Sequence, residues 1–327
     1  MTLILTASEL EQVIDRRATI DAVQRIFAEI GVGRATQPAP TSMGTPAGSG
    51  RHLLMAAVSD GTGLAGVKLL SDLPDNASRG LPSQRSAVLV CDRSTGEPLA
   101  LLDGRVPTRV RTAAASAVAT RLLSRPDSRV LGLVGAGALA REHVAALAEV
   151  RRFERILVWS RTKERRDQLI KDTDFDGELI ACDALESVVE QADVLCTLTP
   201  SVVPIIDGSR VPPGQHLNVV GARPRQDERE VDATTMRRAD VWVDHRATAL
   251  TKSGDLIMAV AEGALSEQDV VGDLAELATG SCPGRTSHDQ ITLFDSVGVG
   301  AEDLAIAHLL YQEATARGLG TSIELSR

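Results

Sequence analysis

One stretch constrains this chain more than any other: Arg129–Val150, RVLGLVGAGALAREHVAALAEV. Val130–Val134 is a short, continuous apolar run, the composition of a strand buried on both faces. It runs directly into Gly135-Ala136-Gly137-Ala138-Leu139-Ala140 and then into a pattern rich in alanine and leucine. Strand, glycine turn and helix in succession are the context that a dinucleotide fingerprint requires. Gly135 permits the tight turn, Gly137 lets the backbone come close to a pyrophosphate, and Ala140 keeps helix and strand in close contact. The helix amino terminus then offers unpaired N–H groups and partial positive charge to the phosphates. A purely structural glycine turn has the same local sequence; the two flanking elements are what favour the nucleotide.

From Arg129 onward the pattern is regular strand–helix alternation. The predicted strands are Val130–Val134, Arg155–Trp159, Val194–Leu198, His216–Gly221 and Val241–Asp244, with helices near Ala138–Val150, Lys163–Lys171 and Leu185–Ala192. Alternation of this kind predicts an α/β fold, a Rossmann-type doubly wound parallel sheet with ligands at the carboxyl ends of its strands. The earlier part reads differently. Thr6-Ala-Ser-Glu9 is a capping box, and Arg17–Gly33 is an amphipathic helix through Ile20, Val23, Ile26, Phe27 and Ile30. Arg34–Gly50, rich in Pro, Thr, Ser and Gly, is expected to be a loop. His52–Val58, Ala65–Leu70, Ala87–Asp92 and Pro98–Asp103 read as strands of a mixed sheet, the last two as a hairpin around Arg93-Ser-Thr-Gly96. Val110–Leu123 is a small-residue helix ending before Pro126, and Val299–Arg317 a second amphipathic helix that should return to the first domain. We therefore expect an α+β domain from 1–126 with 300–327, and a dinucleotide-binding domain from 127–299.

Composition excludes several classes. The net charge of −9 and the scarcity of aromatic residues argue against nucleic-acid binding. No apolar run reaches the length of a membrane span, and Met1–Leu5 is too short for a signal peptide. Cys91, Cys182, Cys196 and Cys282 form no CxxC pair, which reads as reduced cysteines in a cytoplasmic protein. The histidines are scattered without metal-ligand spacing, so no metal site is expected.

The end of the second nucleotide-domain strand bears on cofactor choice. NAD-preferring domains place an acid there for the ribose 2′-hydroxyl. This strand ends in Trp159-Ser160-Arg161-Thr162-Lys163, whose guanidinium, hydroxyls and ammonium suit a 2′-phosphate. NADP(H) is favoured and NAD(H) is the alternative, the other reading being an ordinary basic turn capped by Thr162. Lys68, inside the apolar LAGVKLL, is either an edge or surface lysine or a cleft lysine that binds a carboxylate or donates a proton. Arg111, among residues too small to reach past it, either clamps a carboxylate or pairs with a nearby acid. Thr197-Leu198-Thr199-Pro200 follows a strand end where hydroxyls can meet a nicotinamide ribose, or is a turn before proline. Arg223–Glu230, RPRQDERE, is expected to be a solvated loop.

The run of motifs resembles the ornithine cyclodeaminase/mu-crystallin family. The matching pieces are Gly66-Val-Lys68, Pro74-Asp-Asn76, Thr95-Gly-Glu-Pro-Leu-Ala100, Arg111-Thr-Ala-Ala114, Gly135-Ala-Gly137, Gly221-Ala222, Ser253-Gly-Asp255, Thr292-Leu-Phe-Asp-Ser-Val-Gly298 and Glu302-Asp303-Leu-Ala. They span nearly the whole chain in the family's order. The resemblance implies a homodimer in which the first domain, with the C-terminal helix, forms the dimer interface and half of the substrate site. It also implies that Lys68 and Arg111 face substrate or nicotinamide in an interdomain cleft. Departures from the family pattern carry information too. Arg223 follows Gly221-Ala222 where cyclodeaminases carry an aspartate, and Asp227 and Glu228 are out of register. Gln37-Pro-Ala-Pro-Thr-Ser42 stands where many members place a second arginine for the substrate carboxylate, and Leu139 replaces a typical Gln. Ser160-Arg161-Thr162-Lys163 is similar to the NADP-using ketimine reductases of the mu-crystallin type.

Together these readings predict an NAD(P)-dependent oxidoreductase that reduces a small-molecule imine, or oxidises the amino acid in reverse. Lys68 and Arg111 are the expected catalytic pair. The expected cofactor contacts are Gly135, Ala136, Gly137, Ala138, Leu139, Ser160, Arg161, Thr162, Lys163, Leu198, Thr199 and Val299. A cyclodeaminase with recycled NAD, and a nucleotide-binding protein without turnover, are the alternatives.

Overall fold

The computed structural model describes residues 1–46, 50–223 and 225–325. It resolves into two compact units, Met1–Arg111 with Gly298–Arg327, and Thr112–Val297.

The chain opens with strand β1 (Thr2–Leu5) and helix α1 (Ala7–Glu11), whose capping box is formed: Thr6 N–H donates to the Glu9 carboxylate at 2.9 Å. Helix α2 (Arg16–Gly31) is N-capped by Asp15 and buries Ile20, Val23, Ile26 and Phe27, the stripe that its helical period predicts. The expected loop over 34–50 instead contains β2 (Ala35–Thr36) and β3 (Thr41–Gly44), both antiparallel to β4 (Arg51–Ser59). All of β3 is exposed, so backbone pairing alone makes it a strand, and hydropathy carries no trace of it. Residues 47–49 of that stretch lie outside the described residues. Strands β5 (Leu64–Asp72), β6 (Gln84–Asp92) and β7 (Pro98–Asp103) continue the antiparallel meander, with β6 and β7 as the predicted hairpin. Helix α3 (Arg105–Leu123) starts earlier than the expected Val110. Pro107 hid that start, yet a first-turn proline loses no intrahelical bond.

The second unit supplies β8 (Val130–Val134), α4 (Ala138–Ala148), β9 (Arg155–Trp159), α5 (Lys163–Asp172), β10 (Glu178–Ala181), α6 (Leu185–Gln191), β11 (Val194–Thr197) and β12 (His216–Val219). It continues with α7 (Ala233–Arg238), β13 (Asp240–Val243), α8 (Arg246–Lys252), α9 (Gly254–Ala261), β14 (Val270–Asp273), α10 (Leu274–Thr279) and β15 (Thr292–Asp295). Helix α11 (Gly300–Ala316) and β16 (Thr321–Ile323) return to the first unit.

The second unit's sheet runs β10-β9-β8-β11-β12-β15-β13-β14, every pair parallel. This is the doubly wound order, with its reversal between β8 and β11, where ligands bind such sheets. Five strands were legible and eight are present. β10 and β14 are the two edge strands of the sheet and are only partly buried, which blurs their apolar signal, whereas β15 is as short and as buried as the legible β11 and β12, and its length does not explain why it was missed.

The first unit's sheet runs β16-β1-β7-β6-β5-β4-β2, with β3 also on β4; β1 is parallel to β7 and the other pairs are antiparallel. Helix α11 packs on β4, β5, β6 and α2. It is not amphipathic at its start: Gly300 to Ala307 are all buried, including Glu302 and Asp303. On β5, Lys68 is in register with buried Met55 and Val88, so strand alternation sends its side chain into this core.

Candidate active site

In the first unit, chemistry converges on the first turn of α11. Lys68 is fully buried, and its Nζ lies 2.8 and 2.7 Å from the two carboxylate oxygens of Asp303, with Thr108 Oγ1 at 3.4 Å. The edge or surface reading of Lys68 is therefore excluded. Burial lowers the Lys68 pKa to about 8, opposed by the neighbouring Asp303 charge. Arg111 donates from Nη1 to Glu302 at 2.5 Å and from Nε to Asp303 at 3.2 Å, so Asp303 bridges both cations. Gly298 lies against this guanidinium at φ +79°, and a Cβ there would fall 2.6 Å from Nη1. Val299 is the buried N-cap of α11, and Gln37 Oε1 accepts from Ala301 N–H at 2.9 Å in the same turn. In the sequence, Glu302-Asp303 is legible only as a piece of the family pattern; its pairing with Lys68 and Arg111 is set by residues 191 to 235 positions away.

In the second unit, Gly135 takes φ +118°, and its N–H donates to Trp159 O at 2.9 Å. A Cβ at Gly135 would lie 2.8 Å from Leu198 O, so the turn leans directly on the segment after β11. Gly137 is the N-cap of α4 and lacks a capping side chain; among the described residues, a Cβ there would meet no atom of another segment within 4 Å. Packing within the chain therefore gives no reason for glycine at 137, whereas close approach of a pyrophosphate does. The first amides of α4, from Ala138 and Leu139, have no intrahelical acceptor, which fits the same group. Ala140 is wholly buried behind them. One turn on, His143 bridges Leu139 O and Ser116 Oγ at 2.8 and 3.0 Å. A carbonyl only accepts, so Nδ1 carries the hydrogen; burial lowers this ring's pKa to about 4 and keeps it neutral.

At the end of β9, Ser160 Oγ accepts from Thr162 N–H at 3.3 Å. Lys163 lies 3.4 Å from Asp183, which also takes Arg166 at 2.8 Å. Arg161 is exposed and makes no ion pair among the described residues.

The RPRQDERE stretch is not the solvated loop that its charges suggest. Glu230 is fully buried and accepts from Thr197 Oγ1, Thr199 N–H, Thr199 Oγ1 and Gly221 N–H at 2.7, 2.8, 2.6 and 2.7 Å. The Thr199 hydroxyl, expected to meet a ribose, is thus engaged inward. Arg223 grips Glu228 through Nε and Nη2 at 2.7 and 2.9 Å, and Glu228 is itself buried. Alternating charge hid these residues, because each is buried against a specific partner rather than an apolar face. Pro224 lies outside the described residues. Among the described residues no three His, Cys, Asp or Glu side chains are grouped to hold a metal ion.

The family model described as "Ornithine cyclodeaminase/mu-crystallin family" matches residues 1–318. The chain belongs to this family. It is 35% identical to the ketimine reductase mu-crystallin of Mus musculus over 292 residues, 89% of this chain and 90% of that protein. Among solved structures, the Thermococcus litoralis Delta(1)-pyrroline-2-carboxylate reductase in complex with NADH and L-proline superposes with TM-score 0.93 at 34% identity, covering 98% of this chain and 100% of that one. An archaeal alanine dehydrogenase dimer with bound NAD has the same TM-score, 0.93, at 29% identity, covering 99% of each chain. In this chain Lys68, Arg111 and the Glu302-Asp303 pair form one hydrogen-bonded cluster. At the position after Gly221-Ala222 it carries the Arg223–Glu228 pair.

Proposed function

We propose that this chain is an NAD(P)H-dependent oxidoreductase that reduces a small imine or ketimine to the amine. The substrate is an imino acid of the pyrroline- or piperideine-2-carboxylate kind, and the reverse amino acid oxidation uses the same residues. Lys68 carries this reading: a wholly buried ammonium, oriented by Asp303, with its pKa at about 8. A group poised there gives its proton to an imine nitrogen near neutral pH, as C=N becomes CH–NH. The bound cofactor supplies the hydride for the imine carbon. Arg111, preoriented by Glu302 and Asp303, holds the substrate carboxylate. The reductases named among the relatives, and the L-proline in one of their structures, support this substrate class. The guanidinium held at position 223 favours reduction over cyclodeamination, which on the family pattern needs a carboxylate there.

The gap at Gly137 and the free helix terminus support the pyrophosphate site, and the basic segment Ser160–Lys163 supports NADP(H) over NAD(H). Homodimerisation is part of the same reading. The outer face of the first unit's sheet carries paired apolar residues, Leu54 beside Leu69 and Leu89 beside Leu101, with Leu69 45% and Leu101 39% exposed. The archaeal relative is a dimer. Four unbridged cysteines fit a cytoplasmic location.

The test is loss of NADPH or NADH absorbance with a panel of cyclic imino acids, and with α-keto acids plus ammonia or methylamine. NADPH is consumed, and Arg111→Ala raises KM for the imino acid by roughly a hundredfold, the value of a lost charged hydrogen bond. Ammonia release from ornithine or lysine, with no net change in cofactor, would assign the cyclodeaminase instead.

A further inference from the structure

The buried carboxylate of Glu230 holds no place in the proton or hydride chemistry proposed above, yet it accepts four hydrogen bonds at the carboxyl ends of the second unit's strands. Its oxygens divide their work. Oε1 accepts Thr199 N–H and Thr199 Oγ1, and Oε2 accepts Gly221 N–H and Thr197 Oγ1. One carboxylate therefore ties the segment after β11 to the segment after β12, two adjacent strands. The two segments touch tightly: a Cβ at Gly221 would lie 2.2 Å from Thr199 N. On its other side the β11 segment meets the glycine turn, because Leu198 O limits the space at Gly135. Glu230 is fixed from behind as well, since Asp255 Oδ1 accepts both Glu230 N–H and Val231 N–H at 2.9 Å. Asp255 in turn belongs to the first turn of α9.

We infer that Glu230 is a positioning residue for dinucleotide binding: it locks the three segments after β8, β11 and β12 into one edge and so sets the conformation of the glycine turn. The role rests on the nucleotide-binding reading above. It requires a carboxylate. The two backbone N–H groups, at Thr199 and Gly221, cannot reverse, and each points at a different oxygen. A glutamine of the same shape must set its own NH2 against one of them, whichever way the amide is turned. Two donors then face each other in a buried site, and one of the segments is released.

Glu230→Gln is therefore the sharp variant. We expect the dissociation constant for NAD(P)H, read by cofactor fluorescence, and KM for the cofactor to rise roughly tenfold or more, about 1.4 kcal/mol per tenfold. KM for the imine and kcat at saturating cofactor stay within about threefold, since neither Lys68 nor Arg111 is touched. A merely structural role would lower the melting temperature and leave the cofactor constants of the folded fraction unchanged, and that result overturns the inference. Thr199→Val and Thr197→Val each remove one hydroxyl donor and keep the carboxylate, so they test the same point should Glu230→Gln not fold. Each is expected to weaken cofactor binding in the same direction and by less; unchanged binding in both overturns the inference. The wild-type titration separates this inference from the functional reading. A wild-type chain that binds no dinucleotide removes both. One that binds NAD(P)H but reduces no imine removes only the reductase reading and leaves the Glu230 measurement intact.

Discussion

Lys68 gains its chemical interest from a balance of two opposing effects. Desolvation favours the neutral amine, and Asp303 at 2.8 Å favours the ammonium; burial wins by enough to bring the pKa from 10.5 to about 8. The ammonium is then protonated below about pH 8, and the rate of imine reduction falls as pH rises through that value. The stability effect has the opposite sign. Between about 8 and 10.5 the unfolded chain keeps a proton that the folded chain has lost, so this residue's contribution to stability increases with pH across the window. A pH–rate profile alongside thermal melts separates the two, with rate falling while the fold is retained. Lys68→Met preserves much of the buried volume and removes the proton; it should reduce kcat by roughly a hundredfold or more, the usual worth of a general acid. A pH profile with no break near 8, or near-normal turnover in Lys68→Met, contradicts the assigned role.

The strand–turn–helix of β8 and α4 contains two glycines with separable reasons for being glycine. At Gly135 the reason is internal, because φ is +118° and Leu198 O leaves no room for a Cβ. At Gly137 it is external, because the chain leaves that space open. Gly135→Ala should cost about 1–3 kcal/mol of strain and lower the melting temperature of the cofactor-free protein. Gly137→Ala should leave that melting temperature unchanged and weaken NAD(P)H binding by roughly tenfold or more. Equal behaviour of the two variants in melts and cofactor titrations would contradict this division. This element was legible because its pattern is local: five apolar residues, two glycines and a helix amino terminus in one run. The capping box, α2 and the β6–β7 hairpin were legible for the same reason. What escaped sequence reading was set by distant partners. β3 exists through its pairing with β4, Glu302 and Asp303 are buried because they meet Arg111 and Lys68, and Glu230 is buried because four donors surround it. None of these leaves a period or a spacing in the sequence.

The two units divide the labour. Thr112–Val297 is a parallel sheet whose reversal between β8 and β11 offers a nucleotide edge, and Met1–Arg111 with Gly298–Arg327 holds the Lys68–Asp303–Arg111–Glu302 cluster. The first unit covers one face of its sheet with α2 and α11 and leaves leucines exposed on the other. Leu69→Glu with Leu101→Glu places charge on that outer face and should convert a dimer to a monomer in analytical ultracentrifugation. An unchanged sedimentation coefficient would move the interface elsewhere. Isotope transfer reads directly whether a hydride reaches an imine carbon on this protein. NADPH deuterated at the transferable position of the nicotinamide is incubated with a cyclic 2-imino acid, and the amine product is analysed by mass spectrometry. One deuterium is expected on the former imine carbon, with one cofactor oxidised per product. Product without deuterium, or ammonia released from ornithine while the cofactor is unconsumed, would contradict the reductase reading.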